Sequence, residues 1–182
     1  MNEQEAQARE FLRRLGYTQV IDGEENIKAL LNIKTIGSGD KTNCADLIGF
    51  RPNMAHAHSA VICESKGTDV EHSLVQLGNV ACAMLERFKA ESRPSDLLLL
   101  LYRSSSRMIE GVGESVGPKY TIGDRDRRGL YSLVHAGTDE QKSAPASPRI
   151  DMKRLDLKLQ LWAERVSKLP VYVYIERRDA KA

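Results

Sequence analysis

Apolar residues recur along this chain with two periods, and the switches between them outline its elements. Ala8, Phe11, Leu12 and Leu15 fall at helical spacing and Gly16 supplies a stop, which predicts a helix from about Glu3 to Leu15. Tyr17 to Ile21 reads as a short strand or a turn, and Ile27 to Ile36 carries Leu30, Leu31, Ile33 and Ile36 in a pattern that suits helix and strand equally. Two apolar runs follow, Cys44 to Phe50 and Ser59 to Gly67, read as strands joined by a polar loop. Val70, Leu74, Leu77, Ala81, Met84, Leu85 and Phe88 then form one helical stripe. Thr68 and Glu71 ahead of it have the spacing of a capping box, and Gly78, Ala81 and Ala83 would let the helix approach a sheet closely. Arg93-Pro94 breaks this helix. Leu97 to Tyr102 is a continuous apolar run, the signature of a strand buried on both faces, and the strand, helix, strand order sets it parallel to the run ending at Gly67.

Beyond Arg103 the pattern weakens. Ser104 to Ser106 and the stretch with Gly111, Gly113 and Gly117 read as mobile loop, Tyr120 to Val134 as a strand pair about a turn, and His135 to Arg149, with Pro145 and Pro148, as a flexible connector. Asp151 to Lys168 predicts a second firm helix through Leu155, Leu159, Trp162 and Val166, and Leu169 to Ile175 a terminal strand. No internal repeat, P-loop, GxGxxG or GxSxG is present. The expected fold is α/β, a central mixed β-sheet flanked by helices, in one domain with a core over about 1–103 and an elaboration over about 104–182.

Composition adds mainly exclusions. A chain of 182 residues, 41% hydrophobic and 29% charged, is an ordinary globular domain. A formal net charge of +2 provides no whole-protein basic field, so a nucleic-acid partner would have to meet a local patch. Cys44, Cys63 and Cys82 lie in apolar runs without CxxC spacing, which predicts buried free thiols and a reducing compartment. The first ten residues are polar and acidic, so no signal peptide is visible, and Leu97 to Leu101 is too short to cross a membrane; the expected location is cytoplasmic.

Candidate chemistry concentrates between Cys44 and Lys66. Strand alternation puts Glu64 and Lys66 on one face, with Val61, Cys63 and Ser65 on the other. An acid and a base then stand side by side at a strand end, and Asp46 on the neighbouring strand could bring a second carboxylate within metal-bridging reach of Glu64. Such a cluster is costly unless an ion or substrate compensates it. Asp46, then Glu64-Ser65-Lys66, then a helix resembles the signature of the PD-(D/E)XK nuclease superfamily, over roughly Ala6 to Tyr102. Ala45 stands where that family frequently has proline. The resemblance implies a restriction-endonuclease-like core and a metal-dependent phosphodiester hydrolase. It implies Mg²⁺ or Mn²⁺ held by Asp46, Glu64 and the Ser65 carbonyl, with Lys66 orienting water or stabilising negative charge. DNA is favoured by the family's general habit. Gln76 resembles a glutamine that helps order the site in some branches; by itself it is a helix-surface amide. The family often draws another acid from its first helix; the candidates are Glu5 and Glu10 there, and Glu25 beyond it.

Other features are more general. Arg125, Arg127 and Arg128 crowd one turn as a candidate phosphate contact, partly neutralised by Asp124 and Asp126. His56 and His58 could share a strand face as metal ligands, or be solvated loop residues. The competing functional class is a catalytically inactive relative that binds nucleic acid or protein, and a homodimer through the Trp162 helix and the terminal strand is a further expectation.

Overall fold

The computed structural model describes residues 2–34, 44–52, 59–65, 69–89, 96–105, 115–117, 119–136 and 144–177. In chain order they form α1 (Glu3–Arg14), β1 (Gln19–Asp22), α2 (Glu24–Leu31), β2 (Leu47–Phe50), β3 (Ala60–Glu64) and α3 (Val70–Phe88). Then come β4 (Leu98–Ser105), β5 (Ser115–Gly117), β6 (Tyr120–Arg125), β7 (Tyr131–His135), α4 (Leu157–Val166) and β8 (Val171–Arg177). The strands make one mixed sheet in the order β1-β2-β3-β4-β8-β7-β6-β5.

Local rules account for the helix ends. The Asn2 carboxamide accepts from the Glu5 amide at 2.8 Å, Glu3 and Glu5 occupy the first turn of α1, and Arg13 and Arg14 occupy its last, each sign complementing the helix dipole. Gly16 follows at φ +100°, a conformation that favours glycine. The ambiguous run after Ile27 resolves as a helix, α2, whose Ile27 and Leu31 are buried; Ile36 lies outside the described residues. At α3 the cap is Asp69, one residue later than the predicted Thr68: its carboxylate accepts from the His72 amide at 3.1 Å. Thr68, the other residue of the expected box, lies outside the described residues. The Glu71 carboxylate accepts from the Tyr120 hydroxyl at 2.8 Å and faces Lys119 at 3.8 Å and Arg149 at 4.0 Å.

The sheet has an apolar layer on each face. Val61, Cys63, Leu98, Leu100 and Tyr102 point to one side and are covered by Ala8, Phe11 and Leu12 of α1. Ala60, Ile62, Leu99 and Leu101 point to the other, under α2, α3 and α4. β3, β4 and β8 run parallel, as the continuous apolar run in β4 requires, because a strand covered on both faces has no polar side to show.

Four differences from the sequence reading lie in the second half of the chain. Ser115 to Gly117, read as loop, is an edge strand on β6. The predicted connector is bound along its described part: Pro145 bridges Val134, the Ala146 carbonyl accepts from Val171, and the Arg149 amide donates to the Leu74 carbonyl. The second helix begins at Leu157 rather than Asp151, capped by Asp156. The terminal strand is internal to the sheet, with β4 on one side and β7 on the other, and Trp162 is buried with its indole N–H donating to Glu86 at 2.9 Å. β8 and Trp162 are thus engaged within the chain, while Leu157 and Leu161 of α4 remain exposed.

Gly78 serves a different neighbour from the one expected. The segment at Arg149 and Ile150 crosses α3 there, and a Cβ on Gly78 would meet the Arg149 carbonyl oxygen at 2.3 Å. All three cysteines are free and buried. Among the described residues no helix is long and apolar enough to cross a membrane.

Two outcomes follow from this packing. Gly78→Ala should destabilise the protein by about 1–3 kcal/mol in urea unfolding, because the obstacle is backbone and cannot rotate away. Burial pushes the Cys82 thiol up from 9.0 to about 12. The unfolded chain therefore releases this proton first, and the thiol's contribution, complete below pH 9, is lost as pH rises towards 12. The stability difference between wild type and Cys82→Ala should shrink across that window.

Candidate active site

Three parallel strands, β1, β3 and β4, end on one edge of the sheet, and the antiparallel β2 begins there. Leu47 pairs with Cys63 across β2 and β3, so the next residues out, Asp46 and Glu64, continue the register on the α3 face. Glu64 is 3% exposed and shares the face of Ala60 and Ile62. Asp46 is half-buried, and its Oδ2 accepts two hydrogen bonds from Ser65, from the amide at 2.9 Å and from the hydroxyl at 2.7 Å. Ser65, fully buried, thus clamps the first acid while its own peptide follows the second.

Neighbouring thiols register both carboxylates. The Cys63 thiol is held well above its ordinary range, first by burial and then by the charges of Glu64 and Asp46. The Cys44 thiol is pushed up to about 12 by burial and by Glu24, with Lys28 opposing and Glu64 and Asp46 adding to the rise. Gln76, predicted beside the apolar stripe of α3, is buried and donates from Nε2 to the Cys44 carbonyl at 3.2 Å. It ties the start of the Asp46 segment to the helix, a positioning contact rather than a surface amide.

The first helix supplies no acid here. α1 lies on the opposite face of the sheet; Glu5 accepts from the Asn2 side chain at 3.3 Å and Glu10 is exposed. Glu25 is on the correct helix, but its side chain is 91% exposed. The α2 acid whose charge reaches the buried Cys44 along with those of Asp46 and Glu64 is Glu24, whose Oε1 meets Lys28 Nζ at 2.9 Å. The sequence reading passed over this pair. Its signal was available: an i, i+4 acid and base flanking the apolar positions Ile27 and Leu31. Lys66 and Gly67, with the capping candidate Thr68, lie outside the described residues, as do Gly37, Gly39, His56 and His58.

The arginine turn leaves the same edge of the sheet, across β4, β8 and β7. Glu64 aligns with Leu101, Leu101 with Val173 and Val173 with Tyr131, three strand spacings or about 14 Å in all. Asp126 organises this turn by accepting from the amides of Arg128 and Leu130 and from the Arg128 guanidinium at 2.8 and 3.1 Å. Burial alone would raise the Asp126 carboxyl, but these bonds outweigh it and leave the group below its usual value. Arg128 lies over the Tyr172 ring at 5.0 Å and Arg125 over Tyr131 at 5.8 Å, while Arg127 is exposed. The structure brings Asp46, Glu64, Ser65 and Gln76 together and holds the three arginines apart from them. Among the described residues no three His, Cys, Asp or Glu side chains are grouped so as to hold a metal ion.

The chain matches no protein-family model, no curated protein and no solved structure in the comparisons made.

Because a bond to a charged carboxylate is worth more than a neutral one, Ser65→Ala should cost about 1.5–3 kcal/mol of stability, read by chemical denaturation at neutral pH. Ser65→Thr, which keeps the hydroxyl, should lose less if the added methyl is accommodated.

Proposed function

We propose that this protein is a metal-dependent nuclease of the PD-(D/E)XK type, hydrolysing phosphodiester bonds with DNA as the favoured substrate. The observation that carries this reading is the placement of Asp46 opposite the buried Glu64 at the end of a parallel strand, with Ser65 between them and α3 following. Two adjacent carboxylates in a low-polarity setting repel each other unless a cation compensates them.

The donor set fits a hard divalent ion. Asp46, Glu64 and the Ser65 carbonyl offer oxygen ligands of the kind that suit Mg²⁺ or Mn²⁺, and would hold it. When bound, such an ion acidifies a coordinated water and relieves charge at phosphorus. The protein's own part is positional. Ser65 fixes the Asp46 carboxylate, Gln76 fixes the Cys44 backbone two residues before it, and Lys66, next to Ser65 in the chain, is the residue assigned to orient water or offset negative charge. The mixed sheet with helices on both faces is compatible with a restriction-endonuclease-like core. Arg125, Arg127 and Arg128 would meet the nucleic-acid backbone. At roughly 3.4 Å of helix axis per phosphate on one strand, the interval from Glu64 to the row of Tyr131 corresponds to about four nucleotides.

A second reading has its own support. Ser65 directs both of its donors to the same Asp46 oxygen, as a purely structural acid would require. In that case the fold is a binding module that retains the arginine turn and lacks the reaction.

Cleavage of supercoiled plasmid, linear duplex and single strands with Mg²⁺ or Mn²⁺ separates the two. Metal-dependent cutting should be abolished by EDTA, by Lys66→Ala and by Asp46→Asn, with both variants folded. Salt-sensitive binding with no cutting on any substrate would select the binding module.

A further inference from the structure

We infer that Lys28, held by Glu24 at the start of α2, is a substrate-positioning residue of the Asp46–Glu64 site that receives a phosphate of the nucleic-acid backbone. This rests on the proposed nuclease or nucleic-acid-binding reading. Its geometric basis is the path of the chain. β1 ends at Asp22, which pairs with Leu47, the neighbour of Asp46; Gly23 then turns the chain at φ +86°, and α2 begins at Glu24. The first turn of α2 is thereby delivered to the edge that carries both acids, on the α3 face, where Ile27 and Leu31 are buried with Ile62 and Leu77.

The side chains are arranged to match. The Lys28 side chain is 18% exposed, enough for a ligand to reach it. Its ammonium has three donors, of which the 2.9 Å contact to Glu24 engages one; Glu25 stands at 3.8 Å, beyond hydrogen-bond length. Among the charged groups acting most strongly on the buried Cys44 between them, Glu24, Asp46 and Glu64 are anions and Lys28 alone is a cation. A polyanion approaching these carboxylates meets repulsion, and the Lys28 ammonium beside Glu24 offsets part of it. Glu24 limits the conformations of a long, flexible side chain, so less freedom is lost when the phosphate binds.

The test is equilibrium binding of a short duplex and a single-stranded oligonucleotide in EDTA over a salt series, alongside steady-state cleavage with Mg²⁺. Lys28→Gln should lower the slope of log K against log[salt] by about one, the signature of a lost phosphate contact. It should also weaken binding and raise KM by about tenfold with kcat little changed. Lys28→Arg should retain the wild-type slope, which a merely structural helix pair would give no reason to expect of one variant and not the other. Lys28→Met, which keeps the stem and drops the charge, repeats the measurement should Lys28→Gln fold poorly. An unchanged salt slope and KM in folded Lys28→Gln or Lys28→Met would overturn the role of Lys28 while leaving the nuclease reading in place. Binding that shows the predicted loss of slope, by a wild-type protein that never cuts, would support Lys28 and overturn the nuclease.

Discussion

Burial of α3 on almost every side is the constraint from which the rest of the architecture follows. Thirteen of its nineteen residues are buried, far more than one apolar stripe against a sheet can supply. The sheet takes Leu74, Leu77, Ala81 and their neighbours. The remaining circumference has to be covered by other segments, and each contact there is specific. Gln76 meets the Cys44 carbonyl, Asn79 accepts from the Asp151 amide, Gly78 admits the Arg149 carbonyl, and Glu86 receives the indole of Trp162. Such partners offset the cost of burying polar groups on this helix, because an unsatisfied amide is expensive to remove from water.

That constraint links the fold to the candidate site. The same helix face that binds Cys44 through Gln76 closes over the ends of β2 and β3, where Asp46 and Glu64 stand. α2 closes the other flank and brings Glu24 and Lys28 with it. The carboxylates are therefore framed by two helices and a serine clamp, while the opposite face of the sheet is given to α1 and the aromatic stack of Phe11 on Tyr174, with ring centroids 3.6 Å apart. Chemistry and packing are segregated by face. An acid carried by α1 has no path to the site, whatever its spacing along the chain.

The residues after Arg103 are equally part of this frame. They contribute four of the eight strands among the described residues, and β8 fills the position beside β4 that would otherwise leave its apolar run, 98–102, with an open edge. The segment from Ala146 to Asp151 then straps α3 on its way to α4. Asp126 plays the corresponding local part in the β6–β7 turn, where four hydrogen bonds to one carboxylate set the loop and leave Arg127 exposed.

Periodicity alone identified α1, α3, β3, β4 and the strand character of β6, β7 and β8, since alternation and 3.6-residue spacing are local properties that a chain displays before it folds. It also placed Glu64 at a strand end on the face opposite Cys63, with Asp46 on the neighbouring strand, because a strand's two-residue period determines which side chains share a face. Which of Glu5, Glu10, Glu24 and Glu25 approaches them was decided by the face on which each helix packs, a choice made between segments far apart in sequence. The same holds for the insertion of β8 between β4 and β7, the strap across Gly78 and the grip of Ser65 on Asp46. Strand order and close backbone crossings depend on which distant surfaces bury each other best, and that is a property of the assembled core rather than of any stretch of residues.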